Sequence, residues 1–444
     1  MRGQTISPEI STARETWIII GGGATGAAIA LRGSQAGHHV TLVDRAPTAG
    51  GLTATEQFTI NGQSFEVDRF YHVILESDER VLALLNELGL KDTIRWTSAP
   101  AEIVADGKRY PATSIVQMAT LPMLKLTDRA RIGASVAASL ALPMKLANRT
   151  TSVKWLRTTA GASAMEAFWT PILRAKLGTQ AERVSATFVV STFRRLVKAM
   201  LDQKGNRFGV LPGGYAPVFE EMLSRVQAAG GEIRTGVAAQ SVESLPSGGV
   251  RVTLDDGQSI EGDRVFVTTP APIVERLVGA LTDAERQQLS RPLLGVVCGS
   301  FLLATPPNDS YITYLVDDLG LTGVIGMHAL LPAEQTGGAS LVYLPHYCAP
   351  DDEWFELSDD EVRARMLDAL GKAFPDFTPE VLASSINRAR HVVPLPVPGA
   401  GKPLPFVTSV PGVHVVGTAQ NTTGTLNVEA SLELVDAALD TLVV

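Results

Sequence analysis

The sequence predicts an α/β protein built on a parallel sheet of Rossmann type, and three observations carry that prediction. An apolar run over residues 17–20 leads directly into Gly21-Gly22-Gly23-Ala24-Thr25-Gly26, and the helix-forming run 27–31 follows. After a turn over 36–39, a second apolar run at 40–43 ends on Asp44. The order is strand, glycine turn, helix, strand, acid, which is the order a nucleotide-binding βαβ unit requires. With 444 residues the chain is also longer than one core usually organises, so a second domain is expected.

Each part of the turn has a physical task. Gly21 permits the tight exit from the strand, Gly23 lets backbone approach a pyrophosphate, and Gly26 lets the helix lie close on the sheet. The first helical amides, at Ala24 and Thr25, then point at the phosphates, aided by the helix dipole. Asp44 stands where a carboxylate accepts hydrogen bonds from ribose hydroxyls, and a negative charge there disfavours a 2′-phosphate.

Composition bounds the remaining classes. A net charge of −8, with no Lys/Arg cluster interleaved with aromatics, speaks against nucleic acid as a partner. The two cysteines, Cys298 and Cys348, are far apart, so a buried packing role in a reducing, cytoplasmic setting is expected, with no metal site. Residues 1–16 are polar and read as a leader without the apolar core of a signal peptide. The most membrane-like stretch, 133–144, is too short for a hydrocarbon layer of ~30 Å. A buried helix is expected there, with peripheral membrane contact as the alternative. No HExxH or Gly-x-Ser-x-Gly occurs, so neither metalloprotease nor serine hydrolase chemistry has support.

Beyond Asp44-Arg45 the chain runs through Ala46-Pro47-Thr48-Ala49 to Gly50-Gly51-Leu52. This extended pattern resembles the FAD fingerprint of the amine oxidase and protoporphyrinogen oxidase superfamily. So do Phe65-Glu66-Val67-Asp68-Arg69-Phe70-Tyr71-His72, Phe168-Trp169-Thr170-Pro171, Leu211-Pro212-Gly213-Gly214-Tyr215 and Gly236-Val237. They are similar to the bacterial protoporphyrinogen oxidase-like branch, which is related to UDP-galactopyranose mutases and phytoene desaturases. The resemblance spans roughly residues 15–440. It implies a non-covalent FAD held in a GR2-like, Rossmann-type domain. Arg45 would lie near the adenosine, Gly50, Gly51 and Leu52 near the diphosphate or flavin, and the Val237 backbone at the adenine, and Thr268 is a further cofactor-binding candidate. Toward the C-terminus, Gly417-Thr418 stands where the superfamily usually has Gly-Asp. Asn427 and Val428 open a final helix expected to face the flavin, with capping by Asn427 as the alternative.

The expected FAD domain is discontinuous, over 15–80, 205–290 and 395–444. Two insertions, 81–204 and 291–394, would form an α+β substrate domain, the first mostly helical. Strands are expected at 293–303 and 340–347, and a helix opens at Ser358 with Asp359-Asp360-Glu361 in its first turn.

Flavin carries the reactive atom, so few further catalytic groups are compulsory. Lys176 and Arg174 are candidates to steady an anion, against a reading as solvated helix residues. Tyr71 and His72 could face the flavin or form a structural pair. Tyr343 and Tyr347 alternate with His346 along a predicted strand, so the tyrosines share one face, as core packing or as cavity wall. Residues 399–444 contain no Tyr or Trp, which weakens an ordinary amine oxidase site. No Cys follows Cys348 for covalent flavin attachment. Three functions remain open: an FAD-dependent oxidase, dehydrogenase or desaturase acting on a small apolar or cyclic molecule; a redox-neutral sugar-nucleotide isomerase; or a non-catalytic flavin-binding partner.

Overall fold

A computed structural model describes residues 14–114, 117–118, 120–201, 207–424 and 427–442. Residues 1–13, most of the expected leader, lie outside the described residues.

Thr16–Ile20 forms the centre of a five-stranded parallel sheet. The order across it is Glu232–Thr235, His39–Asp44, Thr16–Ile20, Arg264–Val267, Val413–Val415. Register runs Ile20 against Val43 and Val267, and Thr235 against Asp44, so the strand ends line up on one edge. The central strand is apolar on both faces because both are covered, as parallel strands require. On one side Ile19 packs with helices Ala24–Gln35, Ala216–Ala228 and Val428–Leu442. On the other, Ile18 and Ile20 meet a three-stranded antiparallel sheet, Ala239–Ser244, Val250–Leu254 and Ser259–Gly262, and the helix Ala271–Leu277.

A second, seven-stranded sheet joins strands from both inserted stretches. Its order is Val381–Pro394, Leu293–Leu303, Ser340–Cys348, Gly323–Gly326, Ile312–Leu315, Ala101–Ala105, Lys108–Pro111. All neighbours are antiparallel except Ile312–Leu315 with Ala101–Ala105. The helix Asp359–Ala373 covers one face, and its Ser358 cap bonds the Glu361 amide in a full capping box. The other face belongs to an apolar cluster that reaches Leu52 and a helical cap.

The cap contains Leu126–Ala141, Met144–Ala147, Ser152–Ala160, a π-helical turn at Met165–Trp169, Thr170–Leu177 and Ala186–Leu201. Here the expectation of a buried helix over 133–144 is corrected. In Leu126–Ala141 the polar residues Asp128, Ser135 and Ser139 face inward, whereas Ala130, Ala134, Ala137 and Leu140 face solvent. The inversion is tolerable because the hydroxyls bond their own helix: Ser135 Oγ donates to Arg131 O (2.8 Å) and Ser139 Oγ to Val136 O (2.6 Å). An alanine-rich run has too little contrast to reveal which face is buried, and composition alone misleads.

Candidate functional site

The expected cofactor residues gather at the carboxyl ends of the five parallel strands, where open α/β sheets bind ligands. Two positions in the first turn can only be glycine. A Cβ at Gly26 would lie 1.8 Å from Gly21 O, and Gly21 itself has φ +107°. Gly23 is different: a Cβ there would find its nearest protein atom at 3.8 Å, an ordinary contact. The protein leaves that side open. The helix Ala24–Gln35 begins at Gly23 with no side-chain cap and no acid in its first turn, so its leading amides are free to meet an anion.

The second glycine turn leans on the first. Gly50 N–H donates to Gly22 O (2.8 Å), and Gly51 backs so closely onto Gly23 Cα that a Cβ would stand at 3.1 Å. Leu52 follows and packs on the apolar cluster of the second sheet, which ties the two sites together. Asp44 accepts the Gly22 amide on Oδ2 (2.5 Å) and the Ala46 amide on Oδ1 (2.7 Å). Each oxygen keeps a lone pair for a ligand hydroxyl. Arg45 is exposed beside it. Val237 donates its N–H to Asp44 O (3.2 Å), which holds the turn after Glu232–Thr235 against the end of His39–Asp44.

Other expected cofactor residues brace the cradle. Thr268 Oγ1 donates to Ile20 O (3.0 Å) and Gly21 O (3.1 Å). Gly417 N–H donates to Gln420 Oε1 (3.0 Å), whose amide nitrogen donates to Leu404 O and Val415 O, so Gln420 fixes the turn carrying Thr418. Gln420 gave no signal in the sequence. Asn427 Oδ1 accepts the Ala430 amide (2.8 Å), so its side chain caps the final helix and half-buried Val428 opens it.

The substrate-side candidates separate. Lys176 Nζ stands 3.9 Å from the centre of the Tyr347 ring. Tyr347 Oη lies 3.5 Å from Tyr71 Oη, a long contact. Tyr71 and Tyr347, like Leu52, Phe70, Trp169 and Phe188, are half-buried against one large apolar cluster. Burial, then the neighbouring Tyr347, pushes the Tyr71 phenol well above its ordinary pKa, so Tyr71 stays a neutral hydroxyl. Tyr343, on the same strand face, is buried in the core and donates its hydroxyl to Asp68 O.

His72 points elsewhere. Its Nδ1 is 3.7 Å from Asp68 Oδ2 and its ring meets Tyr215 edge-on at 5.6 Å. It lines a separate cavity of about 30 Å³ with Gly214 and Tyr215. Arg174 is exposed, two residues before Lys176 and so about 200° around the same helix, and faces solvent. The sequence reading missed Thr322. Its hydroxyl donates to Ala175 O (2.7 Å) and accepts the Tyr347 amide (3.2 Å), so it holds the Lys176 helix to the Tyr347 strand. On the far face of that strand His346, Cys348 and Asp352 bring ligand atoms within 4.8 Å of one another, a grouping the wide cysteine spacing concealed. His346 Nδ1 bonds Gly320 O and its ring stacks on Trp354 at 4.2 Å, so the trio lies outside the site.

No curated protein matches the sequence. Among solved structures, a protoporphyrinogen oxidase-like protein from Exiguobacterium sp. 255-15 is similar, with 17% identity, TM-score 0.75, and 98% of this chain and 99% of that one covered. Cyclohexylamine oxidase from Brevibacterium oxydans IH-35A is also similar (18% identity, TM-score 0.71, 97% and 99% covered). So is reduced UDP-galactopyranose mutase (15% identity, TM-score 0.72, 97% and 94% covered). At these identities the likeness is one of fold. The model of the flavin containing amine oxidoreductase family matches residues 24–431, nearly the whole chain, and to that family this protein belongs.

Proposed function

We propose that this protein is an FAD-dependent oxidoreductase that holds FAD non-covalently and removes hydride from a small, uncharged, apolar or cyclic metabolite. The open approach at Gly23, the uncapped helix start and the lone pairs left on Asp44 suit the diphosphate and ribose of FAD. When bound, FAD supplies the hydride acceptor. Both cysteines are buried and free, Cys298 within the second sheet and Cys348 on its far face, so neither supports a covalent link.

The observation that carries the substrate reading is Lys176 over Tyr347. A site that clasps an amine offers its cation an aromatic face. Here that face already holds the protein's own ammonium. A second unit charge 4 Å away would be opposed by about 4 kcal/mol at an effective dielectric near 20, less where water screens it. A neutral substrate meets no such penalty, and the apolar cluster on which Tyr71 and Tyr347 pack suits it. Lys176 is placed to steady negative charge that develops on a neighbouring group, and the neutral Tyr71 hydroxyl to donate a hydrogen bond.

The test is anaerobic titration of the yellow holoprotein with neutral cyclic and polyene compounds alongside cyclohexylamine and putrescine. Bleaching by the neutral set with little response to the amines supports the reading. Equal bleaching by the amines refutes it. Reduction by dithionite alone, followed by isomerisation of a sugar nucleotide, replaces it with the redox-neutral alternative.

A further inference from the structure

The helical cap is charged unlike the rest of the molecule. Residues 125–165 contain seven Lys/Arg and a single acid, Asp128, a net +6 in a chain whose total is −8. Asp128 is buried, where its carboxylate accepts the Lys125 amide and the Ser163 hydroxyl. Elsewhere the arginines are commonly paired with acids. Among the described residues, no ion pair involves any residue of 125–165. Lys125, Arg131, Lys145, Arg149, Lys154 and Arg157 are all exposed.

The same cap shows the inverted helix. At 100° per residue, Leu126, Ala130, Gly133, Ala134, Ala137, Leu140 and Ala141 fall on one outward arc of Leu126–Ala141. Leu126 is 80% exposed, Leu140 50%, and Leu146 on the next helix 47%. Among the described residues, three of the six exposed large hydrophobic residues thus lie within 21 positions of the chain. Single exposed leucines are ordinary, but a whole outward face made apolar while serines are buried needs a cover.

We propose that this face is a docking surface for an anionic lipid bilayer. An apolar arc flanked by exposed, unpaired Lys and Arg is the pattern of a helix lying in the headgroup plane, leucines down and cations among the phosphates. Among the described residues no helix is long and apolar enough to cross a membrane, so the contact is peripheral. A second copy of this chain would set the same unpaired cations against one another, so charge disfavours self-association through this face. The surface is independent of the redox reading and would stand if that reading failed.

The experiment is flotation of the purified holoprotein with vesicles of phosphatidylcholine alone or mixed with phosphatidylglycerol, at low and physiological salt. The protein is expected to float with the anionic vesicles only, and less so at higher salt. Lys145→Glu, Arg149→Glu, Lys154→Glu and Arg157→Glu together should weaken that partition by about a hundredfold or more. Leu126→Ser, Leu140→Ser and Leu146→Ser together should weaken it at least about tenfold with no change of charge. All seven side chains are exposed, so unchanged flavin content and melting temperature confirm that the variants fold. Failure to float with anionic vesicles at low salt overturns the proposal. So does a dimer in light scattering that the leucine variants split, or variants that bind like the parent.

Discussion

Thr322 and Tyr347 are joined by a hydrogen bond from the Tyr347 amide to the Thr322 hydroxyl at 3.2 Å, and that same hydroxyl donates to Ala175 O at 2.7 Å. One oxygen therefore sets how the end of Thr170–Leu177 lies on Ser340–Cys348, and with it the placement of Lys176 over the Tyr347 ring. Replacing Thr322 by Val keeps the shape and removes both bonds. The expected stability loss is about 1–2 kcal/mol, from two part-buried backbone groups left short of a partner. Turnover of the neutral substrate should fall with little change in KM, and Thr322→Ser, which keeps the hydroxyl, should restore it. A Thr322→Val protein with unaltered kcat would show that the brace has no bearing on the site.

Lys176→Met tests the charge directly. The substitution keeps the side chain's length and apolar stem and removes the ammonium. Flavin reduction by the neutral substrate should slow by about 100-fold or more, the range seen when one stabilising donor is lost. Cyclohexylamine, followed by its perturbation of the flavin spectrum, should bind at least about tenfold more tightly once the repelling charge is gone. If amine affinity does not move, Lys176 is not what excludes amines.

Much of the architecture could be read locally. The glycine turn and Asp44 announce themselves within 30 residues, and the strand expected at 293–303 forms over Leu293–Leu303. Ser358 caps its helix through Glu361, three residues on. What escaped is what the chain assembles at a distance. Thr322 is 147 residues from Ala175, and nothing near it in sequence marks it. His72 packs edge-on against Tyr215, 143 residues away, with Asp68 Oδ2 3.7 Å from its Nδ1, whereas the adjacent Tyr71 meets Tyr347. The face of the 133–144 run could not be phased, because alanine gives no contrast between inside and outside.

Gly23 and Gly26 should respond differently to the same change. A methyl at Gly26 would collide with Gly21 O at 1.8 Å, so Gly26→Ala must push the helix from the strand and should cost several kcal/mol or prevent folding. At Gly23 the protein itself has room, with φ −76° and the nearest atom at 3.8 Å. Gly23→Ala should therefore fold with a near-native melting temperature as apoprotein yet bind FAD at least about a hundredfold more weakly, since the methyl occupies the pyrophosphate's approach. Isothermal titration of the apoprotein with FAD checks this. Normal FAD affinity in Gly23→Ala would place the diphosphate elsewhere.

Asp78 supplies a pH dependence that can be assigned to one group. It is buried at the start of Glu79–Glu87. Burial, with repulsion from Glu429, raises its pKa to about 6 against the Leu75 amide bond and Arg195, which lower it. The unfolded chain releases this proton near pH 3.8. The folded state thus holds a proton that the unfolded state has lost between those values. The stabilisation is complete below about pH 4 and is lost as pH rises through about 6. Two units correspond to about 3 kcal/mol. Asn in this position accepts the same Leu75 bond without acquiring a charge, so Asp78→Asn should be near neutral at pH 4 and more stable than the parent by up to about 3 kcal/mol at pH 7.5. Denaturant midpoints of both proteins across that range decide it, because a difference that stays flat with pH would mean Asp78 titrates alike in the folded and unfolded chains.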